Sequence, residues 1–542
     1  AVRHCYRCAT VVEPRLSEQW FVRMAPLAAP ALQAYRDGRV RFIPERRGDE
    51  YEQWMTGIRD WNISRQLWWG HRIPVWYCDA CDTAKAYRED PAACAKCGGA
   101  LRQDEDVLDT WFSSWLWPFS TLGWPERTAD LARFYPGDVL VTAPEILFFW
   151  VARMIVAGLH FLGDVPFHTV YLHGTVRDTQ HRKMSKSLGN GIDPLDVVRR
   201  YGADALRFTV TSGLAVGTDI VLDPNDLEAS FAPGRNFANK TWNIGRLLLS
   251  SIAGEEVRPV DAVDRAGLRL ADRWILSRLV QVVRDTTAHL EAFRLNDAVG
   301  EPYHFLWDEF ADWYLEEIKP RLRGEEPGGA AARAVAVHVF DTVLRLLHPA
   351  LPFITEELFR RLPGRADETL VTAEWPAPDP AREDAEAERD FGRVRALVNA
   401  IRAVRAEYGV QPGQAVVTST ATLSAPWLEA IGCEREFIGR IARTSLVDGP
   451  VRGPAAQAVL PDGHSAAVAL GEAIDVAKES ARLRTELERL DSQLAALTAK
   501  LANSNFTGRA PADVVERERE KERQWTEKRG ALAAKLAALG CA

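Results

Sequence analysis

Arg182-Lys183-Met184-Ser185-Lys186-Ser187-Leu188-Gly189-Asn190 puts two lysines and two serines between His181 and a glycine. A loop of that kind can bring two ammonium groups and two hydroxyls to one polyanion. A lysine pair alone is no more than a charged turn, so the neighbours decide its meaning. Upstream, Val170-Tyr171-Leu172-His173-Gly174-Thr175-Val176 has the apolar, β-branched character of a buried strand that breaks at His173-Gly174. Downstream, Ile192-Asp193-Pro194 has the form of a helix start, and the helix is predicted to run through Tyr201-Gly202-Ala203-Asp204-Ala205-Leu206-Arg207. A strand, a basic loop and a helix N-terminus meeting at one place predict phosphate chemistry at the loop.

The run resembles the KMSKS signature of the class I aminoacyl-tRNA synthetases, and its flanks, His173-Gly174 and Tyr201 to Arg207, resemble the valine, isoleucine and leucine branch. The resemblance implies that ATP is held by His173, Gly174, Lys183, Met184, Ser185, Lys186 and Ser187, that Mg2+ assists, and that Lys183 and Lys186 are catalytic.

Length and composition are compatible with this. The chain has 542 residues, 47 % of them hydrophobic, enough for three or four domains. No apolar run approaches the ~20 residues of a bilayer span, and there is no charged-then-apolar leader, so a cytoplasmic protein without a membrane partner is expected. The net charge of -8 argues at face value against nucleic acid. From Lys478 onward, however, 13 Lys/Arg stand against 10 Asp/Glu, a local +3. An acidic total therefore leaves room for a basic face.

Among the eight cysteines, Cys78-x2-Cys81 and Cys94-x2-Cys97 have the spacing of two zinc knuckles, with Gly98-Gly99 to turn the second. Four thiolates close the coordination shell, which predicts a structural and not a catalytic Zn2+. Cys5-x2-Cys8 supplies only two ligands: either these are ordinary reduced thiols or half of a site whose other pair lies upstream. Between the two regions, Trp54, Trp61, Trp68, Trp69 and Trp76 are interleaved with arginines and His71. Core packing accounts for most of them, while a single-stranded RNA end would also suit stacked indoles among cations.

Asp106 to Pro118, containing Thr110-Trp111-Phe112-Ser113-Ser114, is predicted to pass from strand to helix and resembles the valyl form of this region more than the isoleucyl one. Val141 to Met154 is predicted to be a strand end, a tight turn and a helix that puts Ile146 and Trp150 on one face. The resemblance implies that Trp111, Ile146 and Trp150 wall the aliphatic amino-acid pocket and that Glu145 holds the adenylate ribose. Core packing is the plainer alternative for the aromatics. The sequence departs from the more usual Thr-Gly-x-Asp here, because Ala143 adds a methyl where a glycine lets a ligand approach closely.

From Phe237 onward, helical periodicity covers about 235–252, 268–292, 295–322, 330–348 and 354–362, and this bundle resembles the anticodon-binding domain of the same branch. Trp307, Trp313 and Tyr314 are candidates to stack on bases, with burial as the alternative. A linker rich in Pro, Ala, Asp and Glu at 364–388 precedes a small mixed unit with strands near 415–420, 445–449 and 466–470. Leu483, Leu487, Leu490, Leu494, Leu497 and Leu501 then form a heptad seam. After a break at 503–511, a second helix carries Val515, Trp525, Leu532, Leu536 and Leu539, predicting an antiparallel arm, with an oligomerising coiled coil as the alternative. The arm resembles the tRNA-binding C-terminus of the valyl family.

The combined reading is a multidomain α/β plus all-α chain: the end of an editing insertion at 1–24, the second half of a Rossmann-like class I catalytic domain with a zinc knuckle at 25–230, and an α-helical anticodon-binding bundle at 231–363. The linker (364–388), a small α/β unit (389–470) and a coiled-coil arm (471–542) follow. The resemblance implies a monomer that attaches valine to tRNA(Val). An isoleucyl enzyme and a non-catalytic tRNA-binding fragment are the alternatives. No His-x-Gly-His signature occurs in the sequence, so the chain alone is expected to be inactive. The sequence leaves open whether a separate N-terminal polypeptide supplies the missing phosphate-binding half.

Overall fold

The computed structural model describes residues 2–5, 8–13, 16–507 and 511–540 and divides into two compact units, residues 1–235 with 288–300, and residues 236–287 with 301–542. The first unit is built on a parallel sheet of β1 (Arg41–Ile43), β2 (Gly137–Thr142) and β3 (Phe167–Leu172) in the order β1-β3-β2. β3 is central and pairs Thr169 with both Arg41 and Val139. A central parallel strand is covered on both faces, so it needs a nearly continuous apolar run, and β3 is buried at every position but His168. Beneath it lie α1 (Ala25–Arg36) and α2 (Ala152–Phe161), with Val151 to Ala157 at most 1 % exposed apart from Arg153.

The stretch Pro144–Phe161 corrects the expectation that no segment approaches membrane length: its 18 residues pass the test of length and apolarity. Half of that stretch is buried inside the protein, and Arg153 lies within it, which makes it a core helix. The start of this helix also departs from the expected regular form. Pro144–Ile146 is a 3-10 turn and Leu147–Val151 a π turn, and only from Ala152 is the helix regular. Such wide turns recur at functional sites because they rotate side chains off the 3.6-residue period. The helix predicted through Tyr201 to Arg207 is likewise two helices, Pro194–Tyr201 and Ala203–Gly213, broken at Gly202, whose φ of +95° excludes an ordinary side chain.

The second unit holds the bundle helices Leu270–Glu291 (as far as Thr287), Leu315–Leu322, Gly329–Leu347 and Pro352–Phe359. Its core contains a buried ionic cluster in which Arg321 donates to both Asp272 oxygens at 2.8 and 2.9 Å and to Glu317 at 2.6 Å. Tyr314 donates to the same Asp272 at 2.7 Å. Trp313 and Tyr314 are buried in this core, so neither stacks on a base from the surface. The small α/β part has four strands, in the order 444–447, 416–419, 465–469, 455–459. The strand Ala455–Val459 is the one the sequence does not announce, because Ala-Ala-Gln-Ala-Val has weak strand propensity.

At the end of the chain the helices Val476–Ala502 and Ala512–Ala538 run antiparallel. Lys500 pairs with Glu518 at 3.0 Å and Lys528 with Glu486 at 3.1 Å, which fixes their direction. Leu483, Leu490 and Leu497 are buried, as are Val515, Leu532 and Leu539, so one chain closes its own seam. Residues 508–510 of the intervening turn lie outside the described residues.

Candidate active site

β2 and β3 end side by side, at Thr142 and Leu172, and the backbone N–H of His173 donates to the Thr142 carbonyl at 3.1 Å. The C-terminal edge of a parallel sheet is where open α/β folds bind ligands, and both predicted segments, Ala143-Pro144-Glu145 and His173-Gly174, start from it. Gly174 is required by packing as well as by any ligand: a Cβ there would sit 1.7 Å from the Thr218 carbonyl oxygen.

The basic loop is laced from inside by a residue that sequence reasoning does not single out. Asp178, 3 % exposed, accepts from the backbone N–H groups of Gln180 and Arg182 at 3.0 and 2.9 Å and from Asn190 Nδ2 at 2.9 Å. The Asn190 amide and the Arg182 guanidinium hold its carboxyl well below the usual carboxylate range. Asn190 in turn accepts from the Ser185 N–H at 2.9 Å, and the Ser185 and Ser187 hydroxyls are 3.2 Å apart. A short 3-10 turn at Lys186–Leu188 ends on Gly189 in the left-handed region. The scaffold therefore consumes the side chains of Asp178 and Asn190, the latter also holding the Lys183 carbonyl, and leaves the lysine side chains outside it.

Lys183 pairs with Glu145 and lowers that carboxyl's pKa, chiefly through the hydrogen bond. Lys186 makes no ion pair among the described residues. Glu145 precedes Ile146, which with Trp111, Ser113, Ser114, Trp117 and Trp150 lines an open cleft of about 490 Å³. The cleft is mostly aromatic and aliphatic. Trp150 Nε1 donates to the Ser114 carbonyl at 3.4 Å, and Trp111 stacks on Phe149 with centroids 6.2 Å apart. The structure thus links Lys183, through Glu145, to the cleft that Ile146, Trp111 and Trp150 line.

In the knuckle, the Sγ atoms of Cys78, Cys81, Cys94 and Cys97 all lie within 4.8 Å of one another, with Cys78–Cys97 at 3.4 Å and Cys81–Cys94 at 3.7 Å. Tetrahedral zinc with Zn–S bonds of ~2.3 Å needs sulfur–sulfur edges of about 3.8 Å, so the four thiols fit such an ion. A Cβ at Gly99 would lie 3.3 Å from Cys97 Sγ and 3.4 Å from Cys78 Sγ, which is why the turn ends in a glycine. Cys5 and Cys8 join no cluster of three or more ligands among the described residues. Of the five tryptophans, Trp61 and Trp76 are buried and Trp54 packs against the core, in line with a core role for most, whereas Trp68 and Trp69 are 97 % and 90 % exposed.

Comparison with known proteins agrees with this architecture. Three family models match in order: tRNA synthetases class I (I, L, M and V) over residues 7–223, the anticodon-binding domain of tRNA ligase over 272–420, and the valyl tRNA synthetase tRNA binding arm over 475–540. The chain belongs to the class I tRNA synthetases. Within that class it is a member of the valine–tRNA ligase family. It is 46 % identical over 530 residues to the valine–tRNA ligase of Carboxydothermus hydrogenoformans, covering 96 % of this chain and 59 % of the relative. It is 47 % identical to that of Thermotoga maritima, with the same coverage. The chain therefore spans about three fifths of the length of these curated relatives. Among solved structures, Mycobacterium tuberculosis methionyl-tRNA synthetase in complex with methionyl-adenylate matches at a TM-score of 0.51 and 19 % identity, over 70 % of this chain and 71 % of that one, a likeness of fold.

Proposed function

We propose that the protein carrying this chain attaches valine to tRNA(Val), first forming valyl-adenylate from ATP and then transferring the valyl group to the tRNA 3′ end. The observation that supports this most directly is the meeting of Lys183 with Glu145, the neighbour of Ile146 in the aliphatic cleft. It puts a cationic loop for a triphosphate beside a mostly apolar cleft suited to a small branched side chain.

The valine carboxylate attacks the α-phosphate of ATP, and pyrophosphate leaves with growing charge. Lys183 and Lys186, with the Ser185 and Ser187 hydroxyls, are placed to stabilise that charge, which is how positioned cations act in phosphoryl transfer generally. Glu145 holds the ribose hydroxyls once Lys183 has moved to phosphate. Trp111, Ile146 and Trp150 select the side chain by transfer of its methyls from water. His173, Gly174 and Met184 line the nucleotide side. When bound, Mg2+ would neutralise charge on the phosphates, and Cys78, Cys81, Cys94 and Cys97 would hold a Zn2+ that keeps the knuckle folded and takes no part in the chemistry. The arm and the bundle bind tRNA, and the protein acts as a cytoplasmic monomer.

The reading is tested by amino-acid-dependent ATP–pyrophosphate exchange and by tRNA charging with the enzyme that carries this chain. Valine is expected to be activated in preference to isoleucine by about 10²-fold, the scale a hydrophobic pocket achieves for one methylene. Preference for isoleucine would overturn it.

A further inference from the structure

We propose that Asp109 is a positioning residue for the amino-acid pocket: its carboxylate, shared by Arg65, Arg153 and the Trp61 indole, fixes the Trp111 wall and with it the selectivity for valine. The proposal rests on the reading of Trp111, Ile146 and Trp150 as the valine pocket.

Asp109 is 6 % exposed and does not line the cleft. Its Oδ2 accepts from Trp61 Nε1 at 2.9 Å and from Arg65 Nη2 at 2.7 Å. Its Oδ1 accepts from the backbone N–H of Trp111 at 3.3 Å and so caps the short helix Thr110–Ser114. That is one route from the carboxylate to the wall.

The second route runs through Arg153, which is 8 % exposed and lies 3.6 Å from Asp109 Oδ2. Its guanidinium sits 3.4 Å from the Trp61 ring centroid and 6.0 Å from that of Phe149, the ring on which Trp111 stacks. Arg153 Nε and Nη1 have no hydrogen-bond partner among the described residues, so this cation is held by two aromatic faces and one carboxylate. Burial pushes its pKa down to about 10, with Asp109 opposing the shift.

Two guanidiniums thus share a single buried anion, and both routes to Trp111 pass through it. The cluster cannot keep its geometry when that carboxylate is removed, because the buried Arg153 cation is then left uncompensated beside Arg65. Side-chain discrimination depends on wall position, since one methylene in a hydrophobic pocket is worth only about 10- to 200-fold. A wall that moves loses that factor without touching the reacting atoms.

Asp109→Asn keeps the shape and an acceptor for the Trp111 N–H but removes the charge. In the enzyme that carries this chain, assayed by ATP–pyrophosphate exchange, it should raise the valine KM by about tenfold. It should leave kcat at saturating valine within about twofold and reduce the valine-to-isoleucine ratio of kcat/KM by about tenfold. Because the lost anion also costs stability, the double variant Asp109→Asn/Arg65→Gln restores charge balance. It should recover part of the lost Tm, Arg153 still lacking its anion, while keeping the raised KM. Recovery of KM together with Tm would overturn the proposal, since Asp109 would then be a neutralising group only. So would an unchanged KM and ratio in Asp109→Asn when Trp111→Ala raises the valine KM. If Trp111→Ala itself leaves the valine KM unchanged, the pocket reading fails and the proposal with it.

Discussion

The ammonium of Lys183 rests on the carboxylate of Glu145, 38 residues earlier in the sequence, and so the first cation of the loop occupies the acid assigned to the ribose. Both side chains are about half exposed, at 57 % and 45 %, and an exposed pair of this kind contributes about 0–1 kcal/mol. ATP can therefore separate them at little cost. The pair holds the loop near the cleft when phosphate is absent, whereas Lys186, without an ion pair among the described residues, is available from the start. Lys186→Ala is expected to lower the rate of adenylate formation by ~10²-fold, with a much smaller change in valine KM, because its interaction develops as pyrophosphate leaves. Pre-steady-state pyrophosphate exchange measures this. An unchanged rate would remove the loop from the chemistry.

The knuckle can be tested separately. Purified without chelator, the protein should contain one zinc per chain, and Cys94→Ser/Cys97→Ser should abolish it while Cys5→Ser/Cys8→Ser leaves the content unchanged. Gly99→Ala adds a methyl in tight contact with Cys97 and Cys78 and should weaken zinc retention against a competing chelator. Zinc that survives loss of Cys94 and Cys97 would place the metal elsewhere.

Legibility in the sequence follows distance along the chain. The loop, the cysteine spacing and the leucine seam each declare themselves within a few tens of residues, because their physical requirements are local: clustered cations, paired knuckles, a 3.5-residue period. Asp109 is visible only as a residue before a helix, and nothing local shows that Arg65, 44 residues away, shares its carboxylate. Arg153 stands out in an apolar helix, but its place between Trp61 and Phe149 is a tertiary fact. The π turn at Leu147–Val151 escapes because a 3.6-residue template has no room for it. Asp178 and Asn190 look like ordinary loop polars until the backbone of the loop is folded around them.

Glu434 is expected to give the second unit a pH dependence. The residue is 3 % exposed at the start of the helix Arg435–Ala442, and burial first, then the charge of Glu317, pushes its pKa up to about 8, with Arg321 opposing. A carboxyl raised on folding is protonated in the native state over a range where the unfolded chain has released its proton. Its contribution is present in full below about pH 4.5 and is lost as pH rises through 8. Glu434→Gln removes the ionisation, so it should match the parent at pH 5 and exceed it at pH 8.5 by up to a few kcal/mol, since a tenfold difference in proton affinity between the folded and unfolded chain is worth about 1.4 kcal/mol. Urea unfolding at the two pH values, followed through the buried Trp274 and Trp313, checks this. Equal differences at both would show that Glu434 stays ionised.

The arm separates two mechanisms most cleanly. Its leucine seam must be buried by something, and within this chain Leu483, Leu490 and Leu497 are covered while Lys500–Glu518 and Lys528–Glu486 bridge the two helices. A seam closed in this way leaves Leu483, Leu490 and Leu497 out of reach of a second copy. Its local +3 then gives the arm a net attraction for tRNA phosphates, and phosphate contacts weaken as salt rises because fewer counterions are released to advantage. Deleting residues 476–542 should leave the mass in solution that of one chain, weaken tRNA binding, and make the dependence of log K on log salt shallower. Light scattering and filter binding at several salt concentrations measure the two parts. If the deletion instead converts a dimer to a monomer and leaves tRNA affinity and its salt slope untouched, the arm is an oligomerisation element and its assignment to tRNA is wrong.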